Sequence, residues 1–212
     1  MLNTTTPELQ KGSVMEMTLT FLSGTGAHVS SRVRNYLALI FGIRSLILII
    51  NAFTIWKDDF FDLKCNSTRV GCHHQCYTQF SPMSPFTLFT LQIVFIFTLS
   101  TANYLYNRDS LYVSQTKEWT TGFINMIAKT LIEGFFLFLH HMLYPNILRP
   151  HLFECHITPC EKTVICTMLK SQQKDVFVIW MYICSCASLL IGVTEIYSSV
   201  AKCTFKSGIY HL

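Results

Sequence analysis

Six of the nine cysteines stand in two triplets, Cys65, Cys72 and Cys76 in one polar stretch and Cys155, Cys160 and Cys166 in another. The first triplet reads C-x6-C-x3-C and the second C-x4-C-x5-C. Each stretch holds an odd number, so pairing within a stretch always strands a thiol in each. If all six are oxidised, at least one disulfide joins the two stretches. Six cysteines allow fifteen pairings, and their spacing does not choose among them. One of these, Cys65–Cys166 with Cys72–Cys160 and Cys76–Cys155, would lay two hairpin-like loops side by side. Any such linkage needs both loops in one oxidising compartment.

The rest of the chain is organised around that requirement. Of its 212 residues 50% are hydrophobic and 13% charged, against about 25% charged in soluble domains. A bilayer span takes about 20 apolar residues. Four stretches qualify: Leu37 to Ile55, Phe86 to Leu105, Phe123 to Leu143 and Val176 to Tyr197. The net charge of +4 is mild and forms no basic run, so no nucleic-acid partner is expected. No cleavable leader with a short apolar core and a small-residue cleavage site is visible, and the first span is expected to act as its own insertion signal.

An even number of spans puts both termini on one side and both cysteine loops on the other. Lys and Arg divide evenly between the sides, so the positive-inside rule gives no orientation. The cysteines do: disulfides form in the secretory lumen, which makes the loops extracellular and the termini cytosolic. The expected organisation is an N-terminal segment over 1–35, a transmembrane domain over 36–200 with loops at about 57–85 and 144–175, and a short tail over 201–212. Pro82 and Pro85 mark the entry to span two and Pro145 and Pro150 the end of span three, since Pro is tolerated in the first turn of a helix and stops one elsewhere. Segments around the cysteines, such as Lys162 to Ile165, read as short strands.

Charges inside the spans are costly, at least roughly 2.5–3.5 kcal/mol each at mid-bilayer. Arg44 lies in span one, Lys129 and Glu133 in span three and Glu195 near the end of span four. Lys129 and Glu133 are one helical turn apart and able to pair on one face. Spans one and three run in the same direction, which brings Arg44 to a similar depth. The four charges sum to zero, and the expectation is an ion-pair cluster holding the helices together; the alternative is that part of the cluster borders an aqueous pore. Four helices alone leave no room for a wide conduit. A pore would therefore need several subunits around an axis, in a ring-shaped homo-oligomer.

The residues now described resemble the connexin family. The first loop and its run into span two, WKDDFFDLKCNSTRVGCHHQCYTQFSPMSPFTLFTLQ, is similar to the family's, as are the cysteine spacings of both loops. PCEKTVIC resembles the core of the second loop. GVTE ending span four, Arg44 in span one, Lys129-x-x-x-Glu133 in span three and LYVS at Leu111 to Ser114 also match, the last as in short, beta-type members. The resemblance covers about Leu19 to Val200. It implies an all-α membrane protein, a four-transmembrane-helix bundle with two disulfide-linked extracellular loops, in hexamers around a pore. It further implies plasma-membrane and cell-junction localisation, membrane lipid and other connexins as partners, no cofactor and no enzyme activity. Two hexamers, one from each cell, would dock through these loops. The family's disulfides are the antiparallel set named above. Its pore is lined by the N-terminal helix, here Met15 to Leu22, then by Ala52, Phe53 and Thr54, then by Asp58 and Asp62, whose carboxylates would concentrate cations. Its span-one Arg contacts a span-two Gln, here Gln92, and the span-three Glu, here Glu133.

Departures from the family are concentrated in function-bearing places. The Trp-bearing N-terminal helix is represented by Val14-Met15, without a Trp and behind an extra leader, so translation starting at Met15 or Met17 is one expectation and a narrowed pore mouth another. Leu99 replaces the span-two Pro, Thr54 a charged residue near the pore, and Thr87 the membrane-entry Arg. In the docking loops, Asn66, Thr68, Arg69, Lys162 and Thr163 stand at the contact positions. Lys162 replaces an Asn that bonds across the cell gap, and Arg69 replaces a Gln near a symmetry axis. Two identical faces would then oppose like charges, a device against self-pairing. Asn66-Ser67-Thr68 is also an N-glycosylation sequon, and a glycan there would block contact between hexamers. The expectation is an undocked hemichannel, or docking to a different partner.

Competing readings have less behind them. Cys72-His73-His74-Gln75-Cys76 has zinc-ligand residue types, but sits among cysteines matched for oxidation. There is no nucleophile–base constellation, Gly-rich phosphate loop or metalloprotease motif. The alternative of a different class is a non-conducting tetraspan adhesion or scaffold protein, although the paired or CCG cysteines of such proteins are absent from the first loop.

Overall fold

The computed structural model describes residues 17–23, 29–57, 61–67, 69, 71–81, 83–109, 115–144, 152–156, 158, 160 and 163–209, without the side chains of 107–109, 115–118 and 205–209. A short helical segment, α1, covers 17–23. It is followed by α2 (Ser31–Thr54), β1 (Leu63–Cys65), α3 (Cys72–Phe80), α4 (Pro85–Asp109), α5 (Gln115–Leu143), β2 (Leu152–Cys155), β3 (Val164–Met168) and α6 (Ser171–Ile209).

Four of these helices are long and apolar enough to cross a membrane: Ser31–Thr54, Pro85–Tyr106, Trp119–Leu143 and Ser171–Thr204, with mean hydropathies of 2.1, 1.6, 1.5 and 2.3. All four run longer than the apolar stretches read from the sequence. The reason is that hydropathy registers only the lipid-compatible part of a helix, whereas the i→i−4 ladder continues through polar turns such as Ser31 to Tyr36 and Gln115 to Trp119. At about 1.5 Å per residue, α6 is roughly 58 Å long, far beyond a hydrocarbon core of about 30 Å. Large apolar side chains lie exposed along these helices, Leu39, Leu46, Ile49, Leu131, Phe135 and Leu190 among them. A helix that is apolar on its outer face as well as its inner one suits lipid or neighbouring subunits.

The chain divides into two compact units, and the four long helices contribute to both. One unit comprises Met1–Ser45, Gln92–Phe135 and Cys184–Leu212; the other comprises Leu46–Leu91 and Phe136–Ile183.

In the second unit a three-stranded antiparallel sheet, in the order β1-β3-β2, places Cys65 opposite Cys166 and Cys155 opposite Val164. Along β3 the residues alternate: Val164, Cys166 and Met168 are buried and Ile165 and Thr167 exposed, the period-two signature of a half-buried strand. Leu63, Cys72, Cys76, Cys155, Val164, Cys166 and Met168 form one apolar cluster. The stretch around Cys72 to Phe80 is helical rather than extended. The C-x3-C spacing then carries a meaning that the loop reading did not extract: residues four apart share a helix face, so Cys72 and Cys76 face the sheet together. Gly71 starts α3 at φ 87°, a left-handed conformation that glycine adopts without steric cost. Beneath the sheet, Trp56 stacks on Phe86 and meets Phe177 edge-on. Tyr144 donates a hydrogen bond to the Met83 carbonyl and lies 3.4 Å from Ser81 Oγ.

In the first unit, α5 and α6 approach closely at Gly192. A Cβ there would fall 2.5 Å from Thr130 Oγ1. That hydroxyl donates to the Met126 carbonyl at 2.9 Å, and a β-branched residue in a helix has little rotamer freedom with which to withdraw. Small residues at such contacts let apolar helices pack closely where lipid offers no hydrophobic driving force. Gly192→Ala is expected to destabilise the protein in micelles by about 1–3 kcal/mol, with Thr130→Ala in the same chain restoring most of the loss; thermal unfolding of the two variants checks this.

Candidate functional site

Two polar constructions stand out, one in each unit. In the first unit Glu133, 3% exposed, is the centre. Arg44 Nη1 donates to Glu133 Oε1 at 2.5 Å, and Gln92 Nε2 donates to the other carboxylate oxygen. Gln92 Nε2 also reaches Ser185 Oγ at 3.4 Å. The Glu133 carboxylate on α5 thus holds side chains from α2 and α4 directly, and α6 joins through Ser185 on Gln92. The spacing that places them is helical: each is an inward-facing residue on a helix otherwise covered with apolar side chains. In a low-dielectric interior, such charge-assisted bonds are strong and unpaired groups costly.

The other two charges expected in this cluster are placed differently. Lys129 does not pair with Glu133. Its Nζ donates to the Ser23 carbonyl at 2.8 Å, at the end of α1, where a cation suits the unsatisfied carbonyls of a helix terminus. Glu195 is half-exposed and forms no ion pair among the described residues. It lies two turns beyond Ser188, the α6 residue that shares a cavity wall with Glu133, about 10 Å further along the axis, too far to reach Glu133. The expected neutral quartet is therefore a trio of Arg44, Glu133 and Lys129.

α1 is fixed by more than Lys129. Phe21 meets Phe97 and Tyr104 edge-to-face, with ring centroids 5.6 and 5.5 Å away, and Tyr104 donates to Met17 Sδ at 3.3 Å.

In the second unit the two cysteine loops are joined by Cys65–Cys166, Cys72–Cys160 and Cys76–Cys155. Sulfurs held in disulfides are not thiolate ligands, which removes Cys72 and Cys76 as zinc donors. His73 turns instead to the Leu63 carbonyl, its Nε2 2.7 Å from that oxygen.

Of the residues expected to line a pore, Phe53 is 76% exposed at the end of α2, Thr54 is exposed and Ala52 half-buried. Asp58 lies outside the described residues. Asp62 does not offer an open carboxylate. It is buried, with Oδ2 3.0 Å from Lys174 Nζ and Oδ1 3.7 Å from Lys170 Nζ, and Lys174 in turn sits 5.4 Å from the Trp56 ring centroid. A carboxylate with two ammonium groups beside it draws further cations less strongly than an open one. The two lysines were missed from sequence: Lys170 precedes α6 with a positive φ of 56°, so no helical spacing announces the pair.

Among the docking-loop positions, Asn66 is exposed directly after β1, its backbone N–H donating to the Ile165 carbonyl at 3.0 Å. Arg69 is exposed and its N–H donates to Ser67 Oγ at 3.3 Å. Thr163 is exposed, with Oγ1 3.4 Å from His156 Nδ1, and His156 lies 3.6 Å from Glu154. Thr68 and Lys162 lie outside the described residues.

Removing the central carboxylate separates its electrostatic role from its packing. Glu133→Ala, which leaves the Arg44 charge buried and unmatched, is expected to cost about 3–5 kcal/mol. The apolar double replacement Arg44→Met with Glu133→Leu is expected to recover much of that; denaturation of both variants in micelles is the measurement. A family model described as Connexin matches residues 15–121 and 104–201, more than half of the chain.

Proposed function

Because the chain belongs to the connexin family, we propose that it is a non-enzymatic channel subunit, six copies of which surround a pore that passes ions and small solutes across the plasma membrane. What carries this reading is the combination of four membrane-length helices with two loops stitched together by three disulfides. That combination presents a rigid platform at one end of each subunit. Both termini are then cytosolic, and the platform faces the extracellular space.

The proposed conduit runs past Ala52, Phe53 and Thr54. Phe53 is largely exposed in a single copy, as a residue directed at a pore or a neighbouring subunit would be. Asp58 and Asp62 are the acidic candidates on this path, Asp62 with Lys170 and Lys174 beside it. The proposed organisation keeps 1–35 as the N-terminal segment, 36–200 as the channel domain and 201–212 as the tail.

We further propose that hexamers of this chain alone do not dock into a channel between cells. The exposed Arg69 and the Lys162 position would bring like charges together across two identical faces. A glycan on the exposed Asn66 would add bulk at the same surface. Hexamers containing other connexins, or docking to a different connexin, avoid the first conflict. The second reading, a non-conducting tetraspan scaffold, is favoured by no particular contact.

Recordings from cells without endogenous channels test the proposal. Single cells expressing this chain are expected to show a plasma-membrane conductance, whereas homotypic pairs show no junctional current. Surface protein without conductance in either arrangement would favour the scaffold. Junctional current between like cells would rule out the docking block. On gels, Asn66→Gln is expected to abolish a mobility shift on deglycosylation, while Asn3-Thr4-Thr5, a second sequon on the proposed cytosolic side, contributes none.

A further inference from the structure

The first unit holds a partly open chamber of about 40 Å³, where one water needs roughly 10–15 Å³ by the same measure. Its ionisable lining residues, among those described, are Arg44, Lys129 and Glu133. Most of the remaining wall is apolar. Leu22 and Ser23 of α1 close one side, and Thr130 and Ser188 are the other hydroxyl-bearing residues at the wall.

The chamber holds more cationic donors than anionic acceptors. Both oxygens of Glu133 are engaged, one by Arg44 Nη1 and the other by Gln92. The Ser23 carbonyl is engaged by Lys129. Thr130 directs its hydroxyl hydrogen to Met126. Yet Arg44 is 1% exposed and its Nε and Nη2 have no hydrogen-bond partner among the described residues. With Lys129 protonated, two cations face one carboxylate, because Glu195 lies elsewhere on α6. A buried charge left unmatched in a membrane-spanning bundle is expensive.

We propose that this chamber binds one small monovalent anion of the halide class, held by Arg44 Nε and Nη2 and by Lys129 Nζ. Such an ion accepts from several donors at once and cancels the excess positive charge. Water also fits the space and finds spare lone pairs on Glu133, Thr130 and Ser188, but it leaves the excess charge unmatched. A carboxylate of gluconate size does not fit. The ion would also tie α1, through Lys129, to the helices that carry Arg44 and Glu133.

The test uses the full chain purified in micelles. Thermal unfolding is followed while chloride or bromide replaces gluconate at constant ionic strength. A saturable rise is expected, about 5–10 °C at a hundredfold excess over Kd, retained in Lys129→Arg. Lys129→Met, in which Arg44 and Glu133 already balance, is expected to lose the halide dependence. Crystals grown in bromide should show an anomalous peak between Arg44 and Lys129. Equal stability in chloride and gluconate, which a neutral Lys129 amine would give, overturns the proposal. So does a halide response that Lys129→Met leaves intact. Should that variant not fold, absence of the bromide peak overturns it instead.

Discussion

Three disulfides between two loops that lie far apart in the sequence are the constraint on which the rest depends. Cys65 and Cys166 are separated by 101 residues, and closing a loop of that length removes about 4–5 kcal/mol of unfolded-chain entropy in the loop-closure account. Once it is closed, Cys72–Cys160 and Cys76–Cys155 each enclose only about a dozen further residues and add somewhat less, about 3 kcal/mol each. The three do different structural work. Cys65–Cys166 crosslinks opposed strands, while the other two pin the helical turn Cys72–Phe80 over the strands and the run that joins them. A segment with few apolar residues becomes a rigid platform because sulfur replaces a hydrophobic core that it is too small to build.

The second organising interaction is the carboxylate of Glu133. In lipid, helices gain little by hiding apolar faces from one another, since the tails outside are equally apolar. Small-residue contacts such as Gly192 against Thr130 and buried polar links such as Arg44–Glu133–Gln92 supply the specificity instead. They fix register and depth: Glu133 satisfied by partners from two other helices permits no sliding by a turn without leaving an arginine unmatched. Lys129, whose ammonium meets a carbonyl and, among the described residues, no carboxylate within ion-pair distance, is where this construction is incomplete by itself.

Much of this was legible in the residues. The odd count of cysteines in each loop demanded a bridge between loops, and the four apolar stretches located the helices to within a few turns. What escaped was long-range and side-chain-specific. Lys129 and Glu133 have the spacing of a helical pair, but the lysine reaches an α1 carbonyl that no periodicity could announce. Glu195 belongs to the charge tally yet lies about two turns too far along α6. Asp62 looks like an open carboxylate until Lys170 and Lys174, a hundred residues away, are folded onto it. Cys72 and Cys76 carried a helical spacing that was overshadowed by the hairpin arrangement suggested by the triplets.

Peptide mapping of surface-expressed protein, digested without reduction, tests the central claim most directly. Mass spectrometry should find three crosslinked pairs, Cys65 with Cys166, Cys72 with Cys160 and Cys76 with Cys155. Free or zinc-bound thiols at these six positions, or crosslinks in another register, would contradict it.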